Sequence, residues 1–221
     1  MELWQRALVV EIDEETVKQL RAILSSLSKP VTLHLFTTEA HCLYCNEAAE
    51  IIEKLASLSS LIRVVKCSCD VDSEEAKRFG VDKHPAIVIH GERPYNIRYF
   101  GVPSGYEFGV LVEAIVAASR GEASLPPHVV DVVRGVKGRV HVQVFVTPTC
   151  PYCPSMALAA YMFAVVNENV VADVVEAMEF PDLAYKYKVL SVPKTIINEG
   201  VEIEGAVPVE LFAEKVAEAS R

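Results

Sequence analysis

The 221-residue chain has no apolar run approaching the roughly 20 residues of a membrane-spanning helix, although 51% of it is hydrophobic. The longest candidate, Met156 to Val166, contains Tyr161 and stops at Asn167, so it reads as a buried helix. Met1 to Arg6 lack the basic and apolar regions of a secretory leader, and a cytoplasmic protein is expected. Cationic clusters are missing too. A net charge of −9 argues against nucleic acid and anionic membranes as partners, because both require clustered Lys and Arg. Glutamine occurs only at positions 5, 19 and 143, which fits thermophily.

Six cysteines are present, at 42, 45, 67, 69, 150 and 153. In a cytoplasmic chain such cysteines are more often catalytic or metal-binding than structural disulfides. Their arrangement follows an internal repeat with an offset of 108 residues. Cys42-Leu43-Tyr44-Cys45 recurs as Cys150-Pro151-Tyr152-Cys153, and Pro85 recurs as Pro193. The interval from first cysteine to proline is 43 residues in both copies. Three landmarks in register over that distance are hard to obtain by chance.

The surroundings repeat as pattern. Val31 to Phe36 and Val140 to Phe145 alternate or run apolar as strands do, and each leads into its Cys-x-x-Cys. Gly101-Val-Pro103 and Gly205-Ala-Val-Pro208 precede the helical periods Tyr106 to Ser119 and Val209 to Ser220. Extra helices are expected over Glu14 to Leu27 and roughly Pro127 to Val136. Alternating strands and helices imply an α/β fold with a partly parallel sheet. The polar, then proline-stiffened stretch Gly121 to Pro127 marks the boundary. We therefore expect two domains packed together, residues 1–120 and 121–221, each a mixed sheet flanked by helices.

A Cys-x-x-Cys at a strand-to-helix junction suits thiol–disulfide exchange. The first cysteine is expected to cap the helix, where free N–H groups and the macrodipole favour a thiolate. The second lies one turn on and can attack a mixed disulfide. Cys42 and Cys150 are thus candidate nucleophiles, with Cys45 and Cys153 as resolving thiols. The competing reading is zinc, held by Cys42, Cys45, Cys67 and Cys69. Against it, the second half has no equivalent pair, since Val175 and Ala177 stand there. No metal or cofactor is expected. Pro85 and Pro193, after His84 and Val192, would place cis peptide bonds whose preceding backbone faces the cysteines and can pair with substrate.

Phe145-Val-Thr-Pro-Thr-Cys-Pro-Tyr-Cys153 resembles a glutaredoxin active site, and Ser191-Val-Pro-Lys194 resembles its cis-proline loop. The tandem arrangement over essentially the whole chain resembles the protein disulfide oxidoreductases, or glutaredoxin-like proteins, of thermophilic prokaryotes. That resemblance implies two fused thioredoxin-like folds and an enzyme that reduces, forms or isomerises protein disulfides. It also implies client proteins with disulfides or thiols, and a thioredoxin-reductase-like flavoprotein as electron donor. A peroxiredoxin served by an electron-delivery module is the alternative partner. The sequence departs from thioredoxins where they keep a buried Asp, for Leu35 and Val144 stand there. Glu204 to Val207 departs from the glutathione-holding pattern of glutaredoxins.

Further residues have narrower expectations. His41 and His84 adjoin the N-terminal site, where an imidazolium would stabilise a thiolate. Tyr44 and Tyr152 are expected to shield the disulfides. Pro151 is compatible with the first helical turn and stiffens it, as Leu43 does not, so the two disulfides should differ in potential. Lys194 would contact an acidic substrate group or lie free on the surface. Cys67 and Cys69 read as small buried hydrophobes on one side of a strand, where a disulfide between them is awkward. The acidic run Glu11 to Glu15 reads as a solvated helix start.

Overall fold

A computed structural model describes residues 13–40 and 42–220. The first helix, α1 (Glu14–Leu24), opens where Asp13 accepts the Thr16 N–H at 2.9 Å, with Glu14 and Glu15 in its first turn. Glu11 and Ile12 of the expected acidic run lie outside the described residues. The first half continues as β1 (Val31–Thr37), α2 (Cys45–Ala56), β2 (Ile62–Ser68), α3 (Glu74–Phe79), β3 (Ala86–His90), β4 (Pro94–Phe100) and α4 (Tyr106–Arg120). The second half gives α5 (Pro127–Arg134), β5 (Val140–Val146), α6 (Cys153–Val166), β6 (Val170–Glu176), α7 (Pro181–Lys186), β7 (Lys194–Ile197), β8 (Val201–Glu204) and α8 (Val209–Glu218). The repeat thus holds at the level of structure. Helices α2 and α6 begin 108 residues apart, as do strands β3 and β7. No described helix is long and apolar enough to cross a membrane.

Each half is a thioredoxin-like mixed sheet. β1 pairs with β2 in parallel and with β3 antiparallel, and β3 pairs antiparallel with β4. β5, β6, β7 and β8 repeat that pattern. The two sets join through β4 and β6, which run parallel with Arg98 opposite Asp173 and Tyr99 opposite Val174. One sheet of eight strands results, ordered β2-β1-β3-β4-β6-β5-β7-β8.

Helix α6 is apolar nearly all round because it is enclosed on nearly all sides. Ala157, Ala160, Tyr161 and Phe163 are fully covered, and α4 packs along it. A helix hydrophobic on every face belongs in a core. The main apolar cluster includes side chains from both halves, such as Leu33, Leu111, Val144 and Phe163. Leu35 and Val144, the residues standing in place of a thioredoxin-type acid, are part of it and carry no proton.

Candidate redox site

Both Cys-x-x-Cys segments leave the C-terminal end of a central strand, β1 or β5, and enter a helix. Cys42 pairs with Cys45 and Cys150 with Cys153, at Cα separations of 5.6 and 5.5 Å. The helices start later than expected. Tyr44 and Tyr152 occupy the N-cap positions and the second cysteines are the first helical residues. Pro151 accordingly sits in the turn before α6, and Pro154 is the proline in its first turn. The electrostatic consequence for Cys150 survives this correction. Its Sγ accepts the Cys153 N–H at 3.1 Å, and so receives a backbone donor at the head of α6.

The two sites are exposed differently. Cys42 is half-buried beside Leu43, which is 82% exposed, whereas Cys150 and Cys153 are buried. Cys42 and Cys45 line an open groove of about 710 Å³ with Thr37, Thr38, Lys66 and Ser68. Tyr44 and Tyr152 are both exposed, Tyr152 to 68%. Each occupies the N-cap position of its helix without a side-chain capping bond.

His84–Pro85 and Val192–Pro193 are both cis. The Pro85 carbonyl accepts the Gly101 N–H at 3.0 Å and the Pro193 carbonyl accepts the Gly205 N–H at 2.9 Å, so the repeat extends to this pin. The Val192 carbonyl oxygen lies 3.6 Å from Cys150 Sγ, which brings the two landmarks of the second half together.

Two side chains differ from expectation. Lys194 is neither free nor directed at a substrate: it is 2% exposed, and its Nζ meets Glu202 at 2.8 Å and Glu204 at 2.9 Å. The cause is register, since β7 places Lys194 directly opposite Glu204 on β8. For His84, burial pushes the imidazole below its ordinary value, with Asp70 opposing, and Nε2 has no partner. This direction works against the imidazolium that the sequence suggested. His41 lies outside the described residues. The four cysteines of the zinc reading do not converge, because Cys67 shares the sheet face of Phe36, opposite that of the Cys42 groove.

An acidic cluster was not anticipated. Glu107, Glu176 and Glu179 gather around Tyr99 at the end of β4, and Glu47 on α2 adds its field to Glu179. Glu107 is fully buried with both carboxylate oxygens unpartnered, and burial pushes it up to about 7. Burial likewise pushes Glu179 up to about 7, although it accepts the Val102 N–H at 3.0 Å. Glu176 lies opposite Val146 at the end of β5, and the Tyr106 N–H bonds Pro148 O at 3.0 Å. The acids therefore stand beside the segment entering the Cys150 site. Gly105, with φ of +58°, allows that approach, because a side chain there would strike the Pro148 carbonyl. One signal for Glu107 was available in the sequence. It falls on the apolar stripe of α4 with Leu111, Ala114 and Ala118.

Comparison with known proteins agrees with this geometry. The model of the thioredoxin domain family matches residues 140–218. A protein disulfide oxidoreductase of Aeropyrum pernix superposes with a TM-score of 0.87 at 30% identity, covering 96% of this chain and 95% of that one. The N-terminal domain of the alkylhydroperoxide reductase AhpF from Enterococcus faecalis gives 0.86 at 27% identity, covering 93% and 100%. In sequence, the corresponding alkyl hydroperoxide reductase chain of Pseudomonas aeruginosa is 23% identical over 205 residues, 93% of this chain. The chain spans 37% of that relative's length.

Proposed function

This chain belongs to the protein disulfide oxidoreductases built from two tandem thioredoxin folds, and from that premise we propose that both Cys-x-x-Cys pairs exchange disulfides with client proteins, the second pair dominating. The observation that carries the second half of this reading is the convergence at Cys150. Its sulfur meets a helix N–H at 3.1 Å and the Val192 carbonyl at 3.6 Å, while Cys153 is buried behind it. A backbone donor to sulfur favours the thiolate.

In the reducing direction, Cys150 or Cys42 thiolate attacks one client sulfur. A mixed disulfide forms and the other client sulfur leaves as a thiolate that takes a proton. Cys153 or Cys45, losing its proton, then attacks the enzyme's first sulfur and expels the second client thiol. Two electrons pass to the client and the enzyme ends as the disulfide. The reverse sequence donates a disulfide. His84, Pro85, Val192 and Pro193 present backbone for the client's extended chain. Glu107 and Glu179, pushed up to about 7 by burial beside the segment that enters the Cys150 site, are the proposed proton reservoir in place of the missing thioredoxin-type Asp. A thioredoxin-reductase-like flavoprotein resets the oxidised pairs, and the compartment is the cytoplasm.

Insulin reduction with Cys150→Ser and Cys42→Ser variants tests the ranking. The first should lose at least tenfold in rate and the second appreciably less; equal losses would refute the dominance of the Cys150 site. The alkyl hydroperoxide reductase relatives favour a second reading, delivery of electrons to a peroxiredoxin. A large kinetic preference for a peroxiredoxin over insulin would select it.

A further inference from the structure

Cys67 and Cys69 take no part in the exchange described above, yet their sulfurs lie 2.7 Å apart. Two residues along a regular strand advance by roughly 6.6 Å, which normally keeps side chains i and i+2 from touching at their tips. Here the strand ends between them. β2 stops at Ser68, and the Cys69 N–H makes a last bond to Thr37 O at 2.9 Å before the turn at Val71 and Asp72. The two sulfurs are already in contact at this strand end, so the disulfide that the extended pattern made awkward needs only a small closing movement. Both residues are partly buried, packed against the Phe36 cluster but not fully enclosed as expected. β2 is also the sheet's outer strand, so a solution reagent can approach.

We propose that Cys67 and Cys69 form a third dithiol–disulfide couple, closed by small-molecule disulfides from solution and independent of both Cys-x-x-Cys sites. Independence follows from the sheet. Cys67 packs on the face of Phe36 and α3, while Ser68 and Lys66 point into the groove of Cys42 and Cys45 on the other face. Neither Cys-x-x-Cys disulfide can reach through the sheet, so the oxidant is external. The Cys67 thiol donates its hydrogen bond toward Cys69, and burial helps push Cys67 up to about 11. Cys69 is therefore the attacking sulfur. Its thiolate takes one sulfur of the small disulfide, releasing the other as a thiolate that picks up a proton. Cys67 then gives up its proton and attacks Cys69, expelling the second small thiol. One S–S bond is consumed and one formed, and two electrons leave the cysteine pair.

The full chain with Cys42→Ser, Cys45→Ser, Cys150→Ser and Cys153→Ser isolates the pair. It is equilibrated in oxidised and reduced glutathione mixtures, alkylated, and mapped by peptide mass spectrometry. The expected result is loss of both alkylation sites at the oxidised end, with the Cys67–Cys69 peptide lighter by two hydrogens and free of glutathione. Cys67→Ser on that background should instead trap glutathione on Cys69. Two alkylated thiols at the oxidised end would overturn the proposal, as would a glutathione on each cysteine in place of an internal bond. Mapping the unsubstituted chain under the same mixtures reads the same peptide, so a four-fold variant that fails to fold does not remove the test.

Discussion

Glu107 has two carboxylate oxygens enclosed without a partner, a placement that only the neutral acid tolerates cheaply. The pH dependence follows from its position near 7 in the folded chain against an ordinary 4.5. Below 4.5 the group is neutral in both states and its burial costs no charge. Between 4.5 and 7 the unfolded chain releases the proton while the folded chain keeps it, so stability declines as pH rises. Above 7 the full cost stands, on the order of 3 kcal/mol. Glu179 adds a decline of the same sign over the same window. Urea unfolding from pH 4.5 to 8 should show this slope in the parent chain and a shallower one in Glu107→Gln; identical slopes would show that Glu107 stays protonated throughout or is solvated. If the acid also serves proton transfer, the same variant flattens the pH profile of insulin reduction without shifting KM. This residue was half-legible in sequence. Its place on an apolar helical stripe was visible, but the lack of a hydrogen-bond partner among the described residues depends on strands distant in the chain.

At the scale of elements, the repeat made the strands leading to the cysteines and the helices after Pro103 and Pro208 readable, because each copy served as a check on the other. Its failures lie at element ends. Tyr44 and Tyr152, rather than the expected Cys42 and Cys150, cap α2 and α6, because a turn of two residues separates each first cysteine from its helix. The contact of Cys67 with Cys69 was missed because a strand period says nothing about where the strand stops. Lys194 was misjudged because its partners, Glu202 and Glu204, belong to the next strand. One tie between elements has a measurable cost. Ser119, fully buried near the end of α4, accepts the Ser28 and Lys29 N–H groups at 3.0 Å and donates to Lys29 O at 2.6 Å. It thereby fixes the connection from α1 to β1. Ser119→Ala strands part-buried backbone groups and should lower stability by about 1–2 kcal/mol in chemical denaturation. A change within a few tenths would mean that water replaces the hydroxyl.

For the whole molecule, the question is how two repeats become one body. We propose that residues 1–120 and 121–221 are halves of a single cooperative unit rather than beads on a linker. The seam between β4 and β6 is a parallel pairing that no local pattern announced, since strand order is set by long-range packing. A buried ion pair lies across it. Arg98 Nε and Nη2 donate to the two Asp173 oxygens at 2.6 and 2.9 Å, and His141 Nε2 meets Asp173 Oδ2 at 2.6 Å. Burial alone would raise the Asp173 carboxyl, but Arg98 and His141 hold it below the usual range. Arg98 also reaches back to Gly80 O at 2.6 Å, which needs glycine there because a side chain would collide with the guanidinium. Such a pair contributes little net stability over an apolar substitute, yet breaking it leaves a buried charge uncompensated. Asp173→Ala should therefore cost about 3–5 kcal/mol. Arg98→Met combined with Asp173→Leu should recover most of that loss, because both charges are then removed. If the halves are one unit, the parent chain melts in a single calorimetric transition, and Asp173→Ala moves all of it. Two transitions, with only one displaced, would show that each half holds its own fold and that the seam merely docks them.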